Sequence, residues 1–479
     1  MIRTRFSPSP TGMIHLGNVR SALFSALFAK HSNGVFILRI EDTDQSRSEE
    51  KFTESMLSDL TWLGMHWQEG PNVGGSHKPY FQSQRGDVYS RYYQQLEDNG
   101  LAYPCFCSDQ ELALHRKLQL SKGHAPRYPG TCRKLSKDVV AERIAAGKKP
   151  ALRFLVPQNK DIDFVDTVKG SQHFNSDDIG DFIIRRADGS SSFMFCNAID
   201  DSLMQVSHVL RGEDHLSNTP RQLMILAALK MSSPQYGHLS LIMGDDGSKL
   251  SKRHGSFSLH DLREEGYLPI AVMNYLARLS HTYEEQRLLS FEELAQAFNI
   301  DKISRAPARF DKNQLLHWQK EAVLKLDSSN AWEWLGQAIQ EKIPAEKRDV
   351  FIDVMRKNII LPHEANHWAE KFFENNLTFS GEQLIVLSEA GDAFFEKAVD
   401  AVNKHGLDLK TVLDELKNAL GVSGKRLFMP VRIALTGEDH GPELIHIATL
   451  LGTKGMLQRL ESVRDKLNSG KEEPRLLRG

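Results

Sequence analysis

Neither acid nor base predominates in this chain. Its 479 residues carry 60 lysines and arginines against 62 aspartates and glutamates, a net charge of −2. The global basicity of a nonspecific nucleic-acid binder is absent, so any RNA contact must come from local patches. Cysteine is scarce too. Four in a chain of this size cannot build a disulfide scaffold, and in a reducing compartment they serve as thiols or metal ligands. No uninterrupted apolar run approaches the roughly 18 to 20 residues of a membrane span, and the opening MIRTRFSPSP lacks the apolar core of a secretory signal. No repeat of fixed period and no low-complexity segment occurs. A globular, cytoplasmic protein without a membrane segment is the expectation. At 40% apolar and 25% charged residues, the chain has material for about three domains of roughly 100 to 200 residues each.

The first chemistry-bearing stretch is RFSPSPTGMIHLGN, residues 5–18. Pro8 and Pro10 fix φ and remove backbone donors, so the chain after Arg5-Phe6 has to turn. Beyond His15, Leu16, Val19, Leu23 and Leu27 recur at helical spacing, and Ser32-Asn33-Gly34 supplies a stop. VFILRI (35–40) reads as a buried strand that runs into the acidic cluster Glu41-Asp42-Thr43-Asp44. A right-handed strand–helix–strand crossover puts the SPSPTG turn and Glu41 at the carboxyl ends of neighbouring parallel strands, where open α/β sheets bind ligands. His15 and Gly17 then stand at a helix N-terminus, whose unpaired N–H groups favour an anion such as phosphate.

Farther along, DFIIRRA (181–187) predicts a short strand, and the alternation through Ser192–Met204 around Asp200-Asp201 predicts another. VSHVLRGEDH closes a further strand at Arg211, after which Thr219 is expected to cap a helix with Pro220 as its first residue. Beyond about residue 256 strand signals fade, and from about 319 nearly every segment reads as helix, including AWEWLGQAIQEKI and ELIHIATLL. A second chemistry-bearing stretch, KLSKRHGS (249–256), follows the glycine-rich turn MGDDG. It sets Lys249, Lys252 and Arg253 within five positions. A short basic loop is usually a solvated turn. Beside a phosphate-ready helix start, its lysines could neutralise pyrophosphate leaving the α-phosphate of ATP.

With HLGN (15–18) and KLSKR (249–253) both present, the chain resembles the class I aminoacyl-tRNA synthetases. RFSPSPTG, LRIEDTD (38–44), VLRGEDHLSNTPRQ (209–222), RFDKNQLLHW (309–318) and GKRLFMPVRIALTG (424–437) narrow the likeness to the bacterial glutamyl-tRNA synthetases, essentially end to end. The resemblance implies an α/β class I fold: a Rossmann-like parallel-sheet catalytic domain (1–104 and 181–245) with an inserted acceptor-binding subdomain (105–180). A helical stem-contact domain carrying the KLSKR loop (246–318) and an all-α anticodon-binding domain (319–479) follow.

The resemblance also implies ATP with Mg²⁺ as substrate, held by Pro8, Thr11, Gly12, His15, Gly17, Asn18, Lys249, Ser251 and Lys252. His15, Lys249 and Lys252 are its catalytic contacts to the phosphates. L-Glutamate is expected to be lined by Arg5, Ser7, Ser9, Glu41, Phe193, Asn197 and Arg211, with Arg211 taking the side-chain carboxylate and Glu41 the ammonium. A fixed guanidinium fork suits a carboxylate and suits a neutral amide poorly. Where the family usually has Pro-x-Tyr, this chain has Ser191-Ser192-Phe193, so a phenolic hydroxyl is missing.

Some relatives bind zinc through Cys-x-Cys, a tyrosine and a last cysteine, matched here by Cys105, Cys107, Tyr128 and Cys132. Others use a histidine where this chain has Lys134. The residues alone are equally compatible with three reduced thiols. The expected partners are tRNA-Glu, with tRNA-Gln as an alternative, and the expected state is a monomer. Arg356, Lys357, Lys425 and Arg426 are basic candidates for tRNA contact in the helical region. Rival readings are a glutaminyl-tRNA synthetase, disfavoured by the all-helical C-terminal region, and an inactive tRNA-binding paralogue.

Overall fold

A computed structural model of the protein describes residues 1–44, 48–244, 246–248, 250, 258–374 and 377–472. Lys249, Ser251 and Lys252 of the KLSKR stretch lie outside the described residues.

The organising element is a four-stranded parallel sheet in the order Val35–Leu38, Arg3–Phe6, His208–Gly212, Gln235–Leu239. VFIL is continuously apolar, as a strand covered on both faces requires. The first strand, RTRF, is polar by composition yet buried along its whole length. Each of its charges finds an opposite one: Arg3 meets Glu69 at 3.0 Å and Arg5 meets Asp201 at 3.2 Å. From Arg3–Phe6 the chain runs through the helix Leu16–His31 to Val35–Leu38 on one side. It reaches the other side of the first strand only at His208. The order of strands therefore reverses at Arg3–Phe6, and the crevice beyond the carboxyl ends of this strand and His208–Gly212 is the place where such sheets bind ligands. The Leu16–His31 helix buries Leu16, Val19, Leu23 and Leu27 as expected. It buries Arg20, Ser21 and Ser25 as well, so it is enclosed on more than its apolar face.

Two expectations need correction. Residues Phe193–Leu203 form a helix, not a strand. Phe195, Cys196, Asn197, Ala198, Ile199, Asp200 and Asp201 are all buried, so the segment is enclosed nearly all round and displays no clean helical stripe. The helix Thr219–Ala228 is preceded by Asn218 at the cap position, one residue earlier than predicted. Thr219 is thereby released from capping and its hydroxyl is used elsewhere.

The segment expected as an insertion shares a sheet with its flanks. Ala102–Cys105, Ala151–Phe154 and Phe182–Arg185 make one antiparallel sheet, and Asp161–Asp166 pairs with Gly170–Asn175 as a hairpin. The hairpin docks on the parallel sheet through Thr167, whose N–H donates to the Tyr236 carbonyl at 2.8 Å. Gly237 permits this approach, because a Cβ there would lie 2.3 Å from Thr167 Oγ1 and 2.7 Å from Leu210 Cδ2.

The chain forms two compact units, Met1–Glu264 with Pro269–Trp318, and Glu265–Leu268 with Gln319–Gly479. The second is helical throughout its described residues, with Phe351, Phe395, Leu435 and Ile447 among its buried centre. Among the described residues, no helix is long and apolar enough to cross a membrane.

Candidate active site

The turn after the first strand follows from its prolines. Pro8 offers its carbonyl to the Glu41 N–H at 2.9 Å, so the SPSPTG turn and the acidic segment after Val35–Leu38 remain side by side. His15 occupies the cap position of the Leu16–His31 helix in extended conformation (φ −85°, ψ 151°). Added Cβ atoms at Gly12 and Gly17 would meet nothing within 4 Å, which leaves open space over the turn and the first helical residues. Thr11 and Asn18 are exposed beside them and Pro8 is buried. An anion laid here would face the positive end of the helix.

Beneath the turn lies a buried array of charge. Arg5 commits Nε and Nη2 to the two carboxylate oxygens of Asp201, at 3.2 and 3.3 Å. Arg39, fully buried, reaches Asp201 at 2.8 Å and donates to Asn197 Oδ1 at 2.9 Å. Asp200 accepts from Arg85 Nε at 2.7 Å, Tyr89 Oη at 2.8 Å and Gln82 Nε2 at 3.0 Å. Glu41 stands beside this array. Burial pushes its carboxyl up to about 7 against the opposing pull of Arg39, Arg5 and a hydrogen bond from Asn197. The Ser9 hydroxyl lies 3.5 Å from Glu41 Oε2. A carboxylate held so close to neutrality is poised to accept a cation.

Arg211 is the last residue but one of the strand His208–Gly212 and is held differently from the other arginines. Nε donates to His238 Nε2 at 3.1 Å, Nη2 donates to Thr219 Oγ1 at 2.8 Å, and the guanidinium lies 5.0 Å from the Tyr236 ring centre. Nη1 is buried and has no hydrogen-bond partner. No carboxylate pairs with this guanidinium among the described residues, and burial brings its pKa down to about 10. The charges of Arg5, Asp201 and Glu41 act on it, so these groups lie close to one another. Ser7 Oγ and Tyr236 Oη are likewise buried and unpartnered. A leftover cationic donor in a desolvated site suits an anionic group.

Phe193 stacks on His215 with ring centres 5.2 Å apart, and Asn197 donates to the Phe193 carbonyl at 3.2 Å. Burial, with Arg211 nearby, brings the His215 pKa down to about 4, so at neutral pH it adds no charge to the crevice.

The site also contains groups that sequence reasoning did not select: Asp166, Thr219, Tyr236 and His238 around Arg211, and Arg39, Arg85 and Asp200 below Glu41. The one local signal was the Asp200-Asp201 pair inside an apolar run, where unpaired charge would be costly.

In the segment 102–132, three sulfurs converge. Cys107 Sγ lies 3.7 Å from Cys132 Sγ, and the Tyr128 hydroxyl lies 3.4 Å from Cys105 Sγ and 3.5 Å from Cys107 Sγ. Ligand atoms of Cys105, Cys107 and Cys132 all fall within 4.8 Å of one another. In the helical unit, Lys425, Arg426 and Lys357 are exposed, whereas Arg356 is tied to Asp353 and to the Leu326 carbonyl.

The model of class I tRNA synthetases for E and Q, catalytic domain, matches residues 1–317, and that of an anticodon binding domain matches 350–464. The chain belongs to the class I tRNA synthetase family. It is thus an enzyme of that family. The synthetase is 51% identical over 465 residues to Glutamate–tRNA ligase 2 of Nitrosococcus oceani, covering 97% of this chain and 98% of the relative. It is 50% identical over 461 residues to Glutamate–tRNA ligase 2 of Coxiella burnetii, covering 96% and 99%. A crystal structure of a glutamate tRNA ligase from Elizabethkingia meningosepticum in complex with its amino acid superposes with a TM-score of 0.88 at 28% identity. The match covers 97% of this chain and 99% of that one. The expected fold class, a parallel-sheet class I catalytic region followed by a helical anticodon region, is what these matches and the sheet describe.

Proposed function

We propose that the synthetase is a glutamate–tRNA ligase that activates L-glutamate with ATP and esterifies it to the 3′ end of tRNA-Glu. The observation that carries this reading is the unpaired, buried Nη1 of Arg211. Its natural complement is the side-chain carboxylate of the amino acid, while Glu41 takes the ammonium. Glutamine would offer Arg211 a neutral amide and leave the buried cation without a counter-charge. Ser7, Ser9, Asn197 and the Phe193 ring form the remaining wall. Arg5 acts through Asp201 in this reading, since two of its donors are engaged there.

No general base is needed in the first step. The α-carboxylate of glutamate is ionised near pH 7, attacks the α-phosphorus of ATP and forms a mixed anhydride as the bond to pyrophosphate breaks. Pro8, Thr11, Gly12, Gly17 and Asn18 border the open helix start that would receive the nucleotide, with His15 as a hydrogen-bonding contact. Lys249, Ser251 and Lys252 enter from sequence alone, as the groups that neutralise the leaving pyrophosphate. Magnesium brought in with the ATP would share that neutralisation. A ribose hydroxyl of the terminal adenosine then attacks the glutamyl carbonyl carbon, the bond to AMP breaks, and the hydroxyl proton is released. Residues 105–180 are assigned to the acceptor end, 246–318 to the stem and 319–479 to the anticodon, with Lys425, Arg426 and Lys357 the exposed cations there.

Zinc belongs to the same reading. Tetrahedral zinc with Zn–S near 2.3 Å sets sulfurs about 3.8 Å apart, and the 3.7 Å between Cys107 and Cys132 supports that fit. Cys105, Cys107, Cys132 and Tyr128 would hold the ion and tie the loop 105–132 together. A monomer acting in the cytoplasm completes the proposal, in keeping with four cysteines that form no disulfide.

The test is ATP-dependent charging with labelled glutamate on purified tRNA-Glu and, separately, tRNA-Gln, with Lys252→Ala as control. Charging of tRNA-Glu that fails in the control is expected. Absence of charging on either tRNA would overturn the proposal, and charging of tRNA-Gln would reassign the tRNA specificity.

A further inference from the structure

We infer that Asp166 and His238 are positioning residues that set the donor geometry of Arg211, so that a carboxylate in the hairpin Asp161–Asp166/Gly170–Asn175 controls recognition of the amino-acid side chain. The inference rests on the proposed role of Arg211.

The hydrogen-bond directions leave one arrangement. An arginine Nε can only donate, so His238 Nε2, 3.1 Å from Arg211 Nε, must accept. The single ring proton of neutral His238 then sits on Nδ1 and is donated to Asp166 Oδ2. Asp166 is itself fixed by its other oxygen. Oδ1 accepts the backbone N–H of Lys169 at 2.7 Å, of Val168 at 2.9 Å and of His238 at 3.1 Å. Both side chains are fully buried. The Thr219 hydroxyl completes the frame, accepting from Arg211 Nη2 at 2.8 Å and lying 3.2 Å from His238 Nε2, where it can only share the one lone pair that faces Arg211 Nε. With Nε and Nη2 held, the unpartnered Nη1 is the donor left for a ligand.

This asymmetry makes one substitution diagnostic. In Asp166→Asn the amide oxygen must take the Oδ1 place, because three backbone N–H groups point there. The NH₂ group is then turned toward His238 Nδ1. The imidazole can satisfy it only by moving its proton to Nε2, where it opposes Arg211 Nε–H donor to donor. The volume and the fold contacts are otherwise kept. An amide in place of a carboxylate that orients a histidine acts in the same way in serine proteases, by imposing the wrong tautomer.

The experiment uses the full-length chain in the charging assay. Asp166→Asn is expected to raise the KM for glutamate roughly 10- to 100-fold. The KM values for ATP and tRNA should stay within about twofold and kcat within about threefold. His238→Gln, whose amide can donate to Asp166 and accept from Arg211, is expected to keep the glutamate KM within about fivefold, whereas His238→Leu raises it as Asp166→Asn does. Nitrogen NMR of histidine-labelled protein should show one ring exchanging its Nδ1–H form for the Nε2–H form in Asp166→Asn. A glutamate KM within twofold of wild type in Asp166→Asn, or equal rises for glutamate, ATP and tRNA, would overturn the inference. Should Asp166→Asn not fold, the Gln and Leu variants at 238 decide, and equal effects from both would overturn it. Failure of the underlying functional reading would look different, since the wild-type protein would then not charge glutamate at all.

Discussion

Replacing Arg211 with leucine separates a binding role from a structural one. In the free protein the guanidinium is a buried charge that no carboxylate among the described residues pairs with directly. A pKa brought down to about 10 by burial corresponds to a penalty of order 3 kcal/mol for keeping it charged at neutral pH. Leucine removes that penalty. The groups it abandons can satisfy each other, since Thr219 Oγ1 already lies 3.2 Å from His238 Nε2. Arg211→Leu is therefore expected to unfold at the same temperature as wild type or higher, as replacement of buried charge by apolar volume often allows. Activity moves the other way. One or two charge-assisted hydrogen bonds to the substrate carboxylate, at about 1.5 to 3 kcal/mol each, give a loss near 3 kcal/mol, roughly a hundredfold or more in kcat/KM for glutamate. The pairing of retained stability with lost activity is read by thermal denaturation alongside steady-state charging. A parallel fall in both would mean that Arg211 holds the fold together, and a loss of activity under tenfold would mean that it does not hold the substrate.

Three further outcomes follow from the same geometry. The Glu41 carboxyl, raised to about 7 by burial, binds a substrate ammonium only when ionised. The kcat/KM for glutamate should thus fall toward tenfold per pH unit below about 7, and Glu41→Gln should be slow with that dependence gone; a flat wild-type profile from pH 6 to 8 would contradict this. In the free protein the sign is opposite, since a raised carboxyl makes its contribution to stability below its unfolded value and loses it as pH rises through about 7. Asp200 accepts from Arg85, Tyr89 and Gln82 in full burial, so Asp200→Ala should destabilise the protein by about 3 to 5 kcal/mol in denaturant titration, and a change under 1 kcal/mol would show that water reaches the array. Purified protein should contain stoichiometric zinc by elemental analysis, and Cys132→Ser should lose it together with protease resistance around residues 105–132; metal-free wild-type protein of full activity would leave the cluster as thiols.

The strand–helix–strand beginning was legible because each part follows a local rule: prolines that force a turn, apolar residues at helical spacing, and an uninterrupted VFIL run. Glu41 and Arg211 were legible through the motifs around them. The helix Phe193–Leu203 was misread because a segment buried on nearly every side carries no stripe, and its Asp200 and Asp201 are buried to meet arginines from other elements. Asp166, Thr219 and His238 could not be found by any local pattern. They come from a hairpin, a helix start and an edge strand, and meet at Arg211 only because the fold lays Thr167 against Tyr236. The Gly237 contact that allows this approach is equally invisible until the hairpin is in place. The KLSKR loop stands at the opposite extreme, recognised in sequence while Lys249, Ser251 and Lys252 fall outside the described residues.

The central claim is that a buried guanidinium, paired with no carboxylate among the described residues, selects glutamate. It is tested most directly by competition: equal concentrations of glutamate and glutamine, each separately labelled, offered with ATP and tRNA-Glu, and the esterified amino acid identified after one round of charging. The account predicts glutamyl-tRNA with glutamine at or below about one part in a thousand, the level expected of a site whose buried donor is left without its charge partner. Glutamine esterified to a comparable extent would contradict it.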